Sequence, residues 1–238
     1  MARTVKPEEF AAKRREILAA AQRLVFTKGY ERMAIRDILN ELHISSGAFH
    51  HYFGSRAALL EAFIEQIRQD AEQPLLSIVH DPQRSAIEKL QSFLDTLDQL
   101  RAAQQALVVD LLRVWYTDEN ALVRQKVDAV ILAQRAPLLT AIVRQGLQEG
   151  VFTTPYPDEA GEIIQSLLQA MGRTHAQWLL TLAHAADEQP AIDAIVTTHA
   201  AYLEAIERVL GAPRLSLRRT DLAAVKARVS PHPHPDQV

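Results

Sequence analysis

Apolar residues recur along this chain at helical spacing, and the breaks in that spacing divide it into elements. The clearest segment runs from Ala34 to Arg56. Ile35, Ile38, Leu39 and Leu42 fall at i, i+3, i+4 and i+7, which predicts a short helix with one apolar face. The pattern stops at His43 and Ile44, and Ser45 is placed to cap a new helix that starts at Ser46. In this second helix Phe49, Tyr52 and Phe53 point one way, while Ser46, Ala48, His50 and His51 point the other. A helix of roughly eight residues is not stable alone. Its inner face must pack on neighbours, leaving small and polar groups outside. Two such helices joined by a tight turn predict a helix-turn-helix whose second member lies in a DNA major groove.

The pattern continues on both sides. The first helix begins at Pro7, with Glu8 and Glu9 in its positive first turn, and buries Ile17, Leu18, Ala21, Leu24 and Val25. Lys28 in its last turn and Gly29 as a left-handed cap mark its end. Ser55 caps a fourth helix whose apolar face is Leu59, Leu60, Phe63, Ile64 and Ile67. Pro74 and the Asp81–Pro82 pair mark the passage into a larger body. There, Ile87, Leu90, Phe93, Leu94 and Leu97 predict one helix, and Leu107, Val108, Leu111, Leu112 and Trp115 another. A long helical pattern over 120–150 should kink or split at Pro137 and end at Gly150, before a loop at 153–157. Helices over about 158–184 and 191–210 follow, closed by Gly211 and Pro213. Strand-like alternation occurs nowhere, so the expected fold is all-α.

Composition narrows the class. The chain has 238 residues, 48% of them hydrophobic and 23% charged, with no Cys. That suits a folded helical protein and excludes a disulfide framework or thiolate chemistry. No apolar run approaches the ~20 residues of a membrane span, and the first residues lack a signal-peptide core, so the expected location is the cytoplasm. The net charge of −3 argues against nucleic acid until its distribution is considered. Residues 1–60 hold ten basic and six acidic side chains, +4, which leaves −7 for the remainder. A basic head on an acidic body fits a DNA-binding domain joined to something else.

Enzyme and metal chemistry find little support. There is no GxSxG, no phosphate-binding glycine loop and no HExxH. His175 and His184 are nine apart, on opposite sides of a helix, and adjacent His50 and His51 diverge by about 100°. His232 and His234 lie in a Pro-rich tail. No metal or cofactor is expected. The last two helices carry Ile164, Leu167, Leu168, Ile195, His199, Tyr202 and Ile206 at a 3–4 spacing with small residues between. This fits either core packing within one chain or a four-helix interface between two copies. The need of recognition helices to act in pairs favours the interface. For a small-molecule pocket between body helices the candidates are Leu94, Leu111, Trp115, Tyr116, Met171, His175 and Trp178.

Residues 7–67 resemble the DNA-binding domain of the TetR family of transcriptional regulators. The resemblance is carried by Ile17-Leu18-Ala19-Ala20-Ala21, Gly29-Tyr30, Ile35-Arg36-Asp37-Ile38, Ile44-Ser45-Ser46-Gly47-Ala48-Phe49, Tyr52-Phe53, Ser55-Arg56 and Leu59. Pro137-Leu138-Leu139, Gln145-Gly146 and Glu149-Gly150-Val151-Phe152 resemble the ligand-binding half of such regulators more weakly.

The resemblance implies a helix-turn-helix DNA-binding domain over 1–54 and a helical ligand-binding and dimerisation domain over 55–213, with 55–73 as linking helix. A partly disordered tail follows over 214–238. It implies a cytoplasmic homodimer that binds a palindromic operator, most often as a repressor, and answers to a small-molecule effector. The alternative is a helical ligand-binding or scaffold protein with a degenerate head. The implied DNA-binding residues are Arg36, Ser45, Ser46, Gly47, Ala48, His50, His51, Tyr52 and Arg56. Arg36 would reach backbone or base edge, the serines and Arg56 phosphate, Ala48 a thymine methyl, and the histidines phosphate or base. Three positions depart from the family pattern. Met33 and Ala34 stand where a Thr or Ser usually caps the second helix, His43 stands where the turn usually has Gly, and His50 replaces a Tyr.

Overall fold

A computed structural model describes residues 7–102, 108–182 and 187–220. Nine α-helices run through them: α1 Pro7–Lys28, α2 Ile35–Leu42, α3 Ser46–Tyr52, α4 Arg56–Val79, α5 Ala86–Ala102, α6 Val108–Trp115, α7 Ala121–Gln148, α8 Pro157–Leu182 and α9 Gln189–Leu210. A single 3-10 turn, Asp118–Asn120, lies between α6 and α7. No strand occurs among the described residues, and no described helix is long and apolar enough to cross a membrane. Two compact units form, one from Met1–Asp70 with Asp110–Val127, the other from Ala71–Val109 with Asp128–Val238.

The first unit is built on the stripes expected for it. Ile17, Leu18, Ala21, Leu24 and Val25 of α1 meet Ile38 of α2, Phe49 of α3 with Phe53 beyond it, and Leu59, Leu60, Phe63 and Ile64 of α4, all buried. Ile17, Ile38 and Phe49 are wholly buried. Each such burial is worth about 1.5–3 kcal/mol, enough to hold helices of eight and seven residues that would not form alone. On α2 only Ile38 is fully inside; Ile35, Leu39 and Leu42 are half-buried. Gly29 ends α1 with φ +84, as expected of a left-handed cap. It also has no room for a side chain, since a Cβ there would come 2.7 Å from Cβ of Glu119. That contact brings the 3-10 turn onto the α1–α2 loop, where wholly buried Asn120 accepts from Tyr30 N–H (2.7 Å) and donates to the carbonyls of Val114 (2.9 Å) and Val25 (3.3 Å).

The second unit has a larger apolar core. Leu90, Phe93, Leu94 and Leu97 of α5, Leu139, Ile142 and Val143 of α7, Ile164, Leu168 and Met171 of α8, and Leu203, Ile206 and Leu210 of α9 share it. At Gly161 the backbones of α7 and α8 come so close that a Cβ would meet Thr140 Oγ1 at 2.2 Å and the Ala136 carbonyl at 2.3 Å. Buried Lys89 donates its ammonium to the Val79 carbonyl (2.7 Å) and Gln145 Oε1 (2.8 Å), so its charge is hydrogen-bonded inside.

The described residues refine several of these expectations. Pro137 does not split the long helix; α7 runs unbroken through it, losing the one bond that an N–H there would give the Ala133 carbonyl. Pro74 lies inside α4, a few residues after the 70/71 division between the two units, and the helix itself ends at Val79. Residues 214–220 are packed against the second unit: Leu217 is 2% exposed, and its N–H donates to Glu207 Oε1 (3.0 Å). Ile67, Leu107 and Leu111 lie outside the residues whose side chains are described, and His184, His232 and His234 lie outside the described residues altogether.

Candidate nucleic-acid interface

The turn between α2 and α3 is set by backbone geometry. His43 takes the left-handed conformation (φ 52, ψ 42) that a helix C-terminus needs, and both its N–H and that of Ile44 (3.1 Å) donate to the Leu39 carbonyl. Histidine visits this region more readily than most residues, which is how the turn closes without Gly. Ser45 is the α3 N-cap: its Oγ accepts from Ala48 N–H at 3.1 Å. Phe49 is wholly buried and Phe53 nearly so, at a centroid separation of 5.9 Å. With that face inside, Ser46, Gly47, His50 and His51 are exposed, and Ala48 and Tyr52 are half-exposed. The outward side of α3 is thus the small and polar set read from the sequence. Arg36 is exposed on α2.

The missing Thr or Ser at the start of α2 is made up from the other end. Ala34 offers no side-chain acceptor, but Asp37 one turn on accepts from Ala34 N–H at 2.8 Å, while Asp37 N–H donates to the Ala34 carbonyl at 3.0 Å. Asp37 is also paired with Lys28 at 2.7 Å. The Lys28 ammonium first, and then the Ala34 N–H, hold its carboxyl below the usual range. Met33 is a core residue, 3% exposed.

Arg56 is placed differently from a simple phosphate contact. Its guanidinium lies 4.0 Å from the Tyr30 ring centroid and donates to the Tyr30 carbonyl, and its Nε is buried. Tyr30 is therefore held at three points: N–H by Asn120, carbonyl and ring by Arg56. Sequence reading also missed the part α1 plays behind the recognition helix. Phe10 packs on His51 (5.4 Å, 85° between planes) and Tyr52 (4.8 Å), and Arg14, one turn later, lies 4.7 Å over the Phe53 ring. The signal was present: Phe10, Arg14 and Ile17 continue the buried stripe at i, i+4 and i+7.

The body residues separate into groups. Of the seven interface residues, Ile164, Leu168, Ile195, His199 and Ile206 are already buried within the single chain. They are core positions, covered by the chain's own helices. Leu167 and Tyr202 are only half-buried, and Ile163 beside them is 42% exposed. Of the pocket candidates, Leu94 and Met171 are core, and Trp178 packs half-buried against Leu182, Ala191, Ile192 and Ile195. His175 stacks on His199 with ring centroids 6.1 Å apart. Trp115, against Phe26 at 5.7 Å, and Tyr116, beneath Arg124, belong to the first unit. A small cavity in the first unit holds about 10 Å³, room for one water, and is lined by Ala21, Val25, Tyr30, Met33, Leu59, Leu60 and Phe63, none of them a pocket candidate.

Comparison with known proteins places this geometry. Residues 17–63 match the profile of "Bacterial regulatory proteins, tetR family", and residues 112–172 match "Tetracyclin repressor-like, C-terminal domain". An uncharacterised HTH-type transcriptional regulator from the lacX 3′ region of Lactococcus lactis subsp. lactis is 31% identical over 80 residues, which is 34% of this chain and 41% of that protein. Similar folds include a TetR-family regulator from Pectobacterium atrosepticum (18% identical, TM-score 0.54, 88% of this chain and 100% of that one). A transcriptional regulator from Cytophaga hutchinsonii (16%, 0.55, 84% and 99%) and reduced E. coli NemR (18%, 0.52, 85% and 99%) are others. The helix-turn-helix head thus matches a TetR-family profile, and part of the helical body matches the C-terminal domain profile of similar repressors.

Proposed function

We propose that this protein is a DNA-binding transcriptional regulator, a repressor that binds a palindromic operator as a homodimer and is released by a small-molecule effector. The observation that carries the reading is α3 itself: a capped helix, anchored from behind by Phe49 and Phe53, with Ser46, Gly47, His50 and His51 outward. Ser45 and Ser46 at its start are suited to phosphate, and His50, His51 and Ala48 to base edges and thymine methyls. Arg36 and Arg56 would add phosphate contacts, Arg56 by leaving Tyr30. Two copies would meet across the outer sides of α8 and α9, where Ile163, Leu167 and Tyr202 remain at least partly uncovered. An effector held by the second unit would shift the two recognition helices away from the roughly 34–36 Å spacing of successive major-groove faces.

Selection of bound sequences from random duplex DNA tests this reading. A palindrome should emerge, with an affinity that falls steeply as salt rises. Sedimentation at micromolar concentration should give a dimer. A second reading, a helical ligand-binding or scaffold protein whose head no longer holds DNA, is favoured by the engagement of Arg56 with Tyr30. It predicts no enriched sequence and an affinity for duplex DNA indifferent to salt.

A further inference from the structure

Phe10 stands outside the helix-turn-helix, two turns before the buried middle of α1 begins at Ile17, yet its ring lies against the recognition helix. His51 is an exposed side chain in the last turn of a seven-residue helix, where the one ring of its own helix against it is its neighbour Tyr52. Two rings fix its orientation. Phe10 meets it edge-on at 5.4 Å and 85°, and Tyr52 at 5.1 Å and 75°. Phe10 and Tyr52 also contact each other at 4.8 Å, so the three rings form one cluster. The next turn of α1 continues the same wall, with Arg14 over Phe53 at 4.7 Å. Edge-to-face contacts of this separation are directional, so they hold a ring in one orientation more firmly than apolar packing of equal area does.

From this cluster we infer that Phe10 is a positioning residue for sequence readout: it presets the His51 imidazole for one base pair of the operator. The inference rests on the DNA-binding reading above. An exposed side chain that must be ordered on binding weakens the contact it makes, and one already ordered does not; the difference is about 2- to 12-fold in affinity per side chain. Because His51 would contact a base and Phe10 no DNA at all, the effect of Phe10 falls on sequence discrimination. Affinity for unrelated sequences and the slope of affinity with salt depend on phosphate contacts, and stay as they are.

The test uses the whole protein and four variants: Phe10→Leu, which keeps the apolar volume and loses the ring; Phe10→Tyr, which keeps the ring; His51→Ala; and the Phe10→Leu/His51→Ala double variant. Thermal melting first establishes that each is folded. In the free protein, the His51 ring resonances should move in Phe10→Leu and return in Phe10→Tyr; unmoved resonances in Phe10→Leu overturn the inference without reference to DNA. On the selected operator and its single-base-pair variants, Phe10→Leu should lose about 3- to 10-fold of discrimination at the base pair where His51→Ala loses it. The double variant should be no worse than His51→Ala. Losses spread evenly over all sequences, or adding to those of His51→Ala, would make Phe10 a packing residue only. If the ring resonances respond as expected while the parent protein enriches no sequence, the DNA-binding reading fails and the ring contact stands.

Discussion

Asn120 is wholly buried and uses both ends of its amide: the oxygen takes the Tyr30 N–H, and the nitrogen serves the carbonyls of Val114 and Val25. Asn120→Ala would leave the Tyr30 N–H without its acceptor. The expected loss is about 1–3 kcal/mol, read from the urea midpoint of a variant that still folds. Glu207, 2% exposed, is another buried polar side chain with several partners. Burial acts to raise its carboxyl, but hydrogen bonds from Arg219 (2.7 Å) and from the Leu217 and Leu215 amides outweigh that and hold it below its ordinary value. A carboxyl lowered on folding adds stability that is complete above the ordinary glutamate range and is lost as pH falls through that range toward its own lower value. Thermal midpoints measured from pH 7 down to pH 3 should therefore drop, and the drop should be shallower in Glu207→Gln, which starts from a lower midpoint at pH 7. An equal slope in both proteins would remove Glu207 from the account.

The helices differ in how much of their fate lies in their own sequences. The C-terminal ends of α1 and α9 follow local chemistry: Gly29 and Gly211 take the positive φ of a left-handed cap. The N-terminus of α3 is likewise local, with Ser45 capping it. The middle of α7 is not. Pro137 lacks an N–H and its ring crowds the preceding turn, a penalty of about 3 kcal/mol in a free helix, yet the helix continues to Gln148. Burial of Leu139, Ile142 and Val143 beyond the proline, each wholly inside the core, outweighs that penalty. Since Pro137 itself is exposed, Pro137→Ala should raise the unfolding free energy by about 1–3 kcal/mol in guanidinium titration. No gain would mean that α7 bends at this point to suit its neighbours.

At the scale of the whole chain, the described residues after α9, 211–220, are part of the folded second unit. Leu217 enters its core, Arg219 pairs with buried Glu207, the Arg218 N–H donates to Gln91 (2.8 Å) and the Thr220 N–H to His199 Nδ1 (3.2 Å). Truncation after Pro213 would open a cavity at Leu217 and strand the Glu207 carboxylate inside. Losing one partner of a buried pair costs about 3–5 kcal/mol. Such a truncated chain should be unfolded or strongly destabilised by circular dichroism melting, whereas a dispensable tail would leave the melting point unchanged.

Periodicity alone was enough for the helical class, for most of the helices and for the two faces of α3, because an amphipathic helix writes its burial into its own spacing. The turn chemistry at Gly29, His43 and Ser45 was readable for the same reason: caps are made by neighbours in sequence. What depends on residues distant in sequence was not readable. Asn120 looks like any loop residue until the fold brings it to Tyr30, 90 positions away. Arg56 reads as a phosphate contact until its guanidinium is found on the Tyr30 ring, and Ile164, Leu168 and Ile206 fit an interface as well as a core until the single chain is seen to bury them. An apolar stripe states that it will be buried and leaves open against what. In the same way the sequence of α3 says that His51 faces outward, and only the packing of α1 brings Phe10 there to hold it.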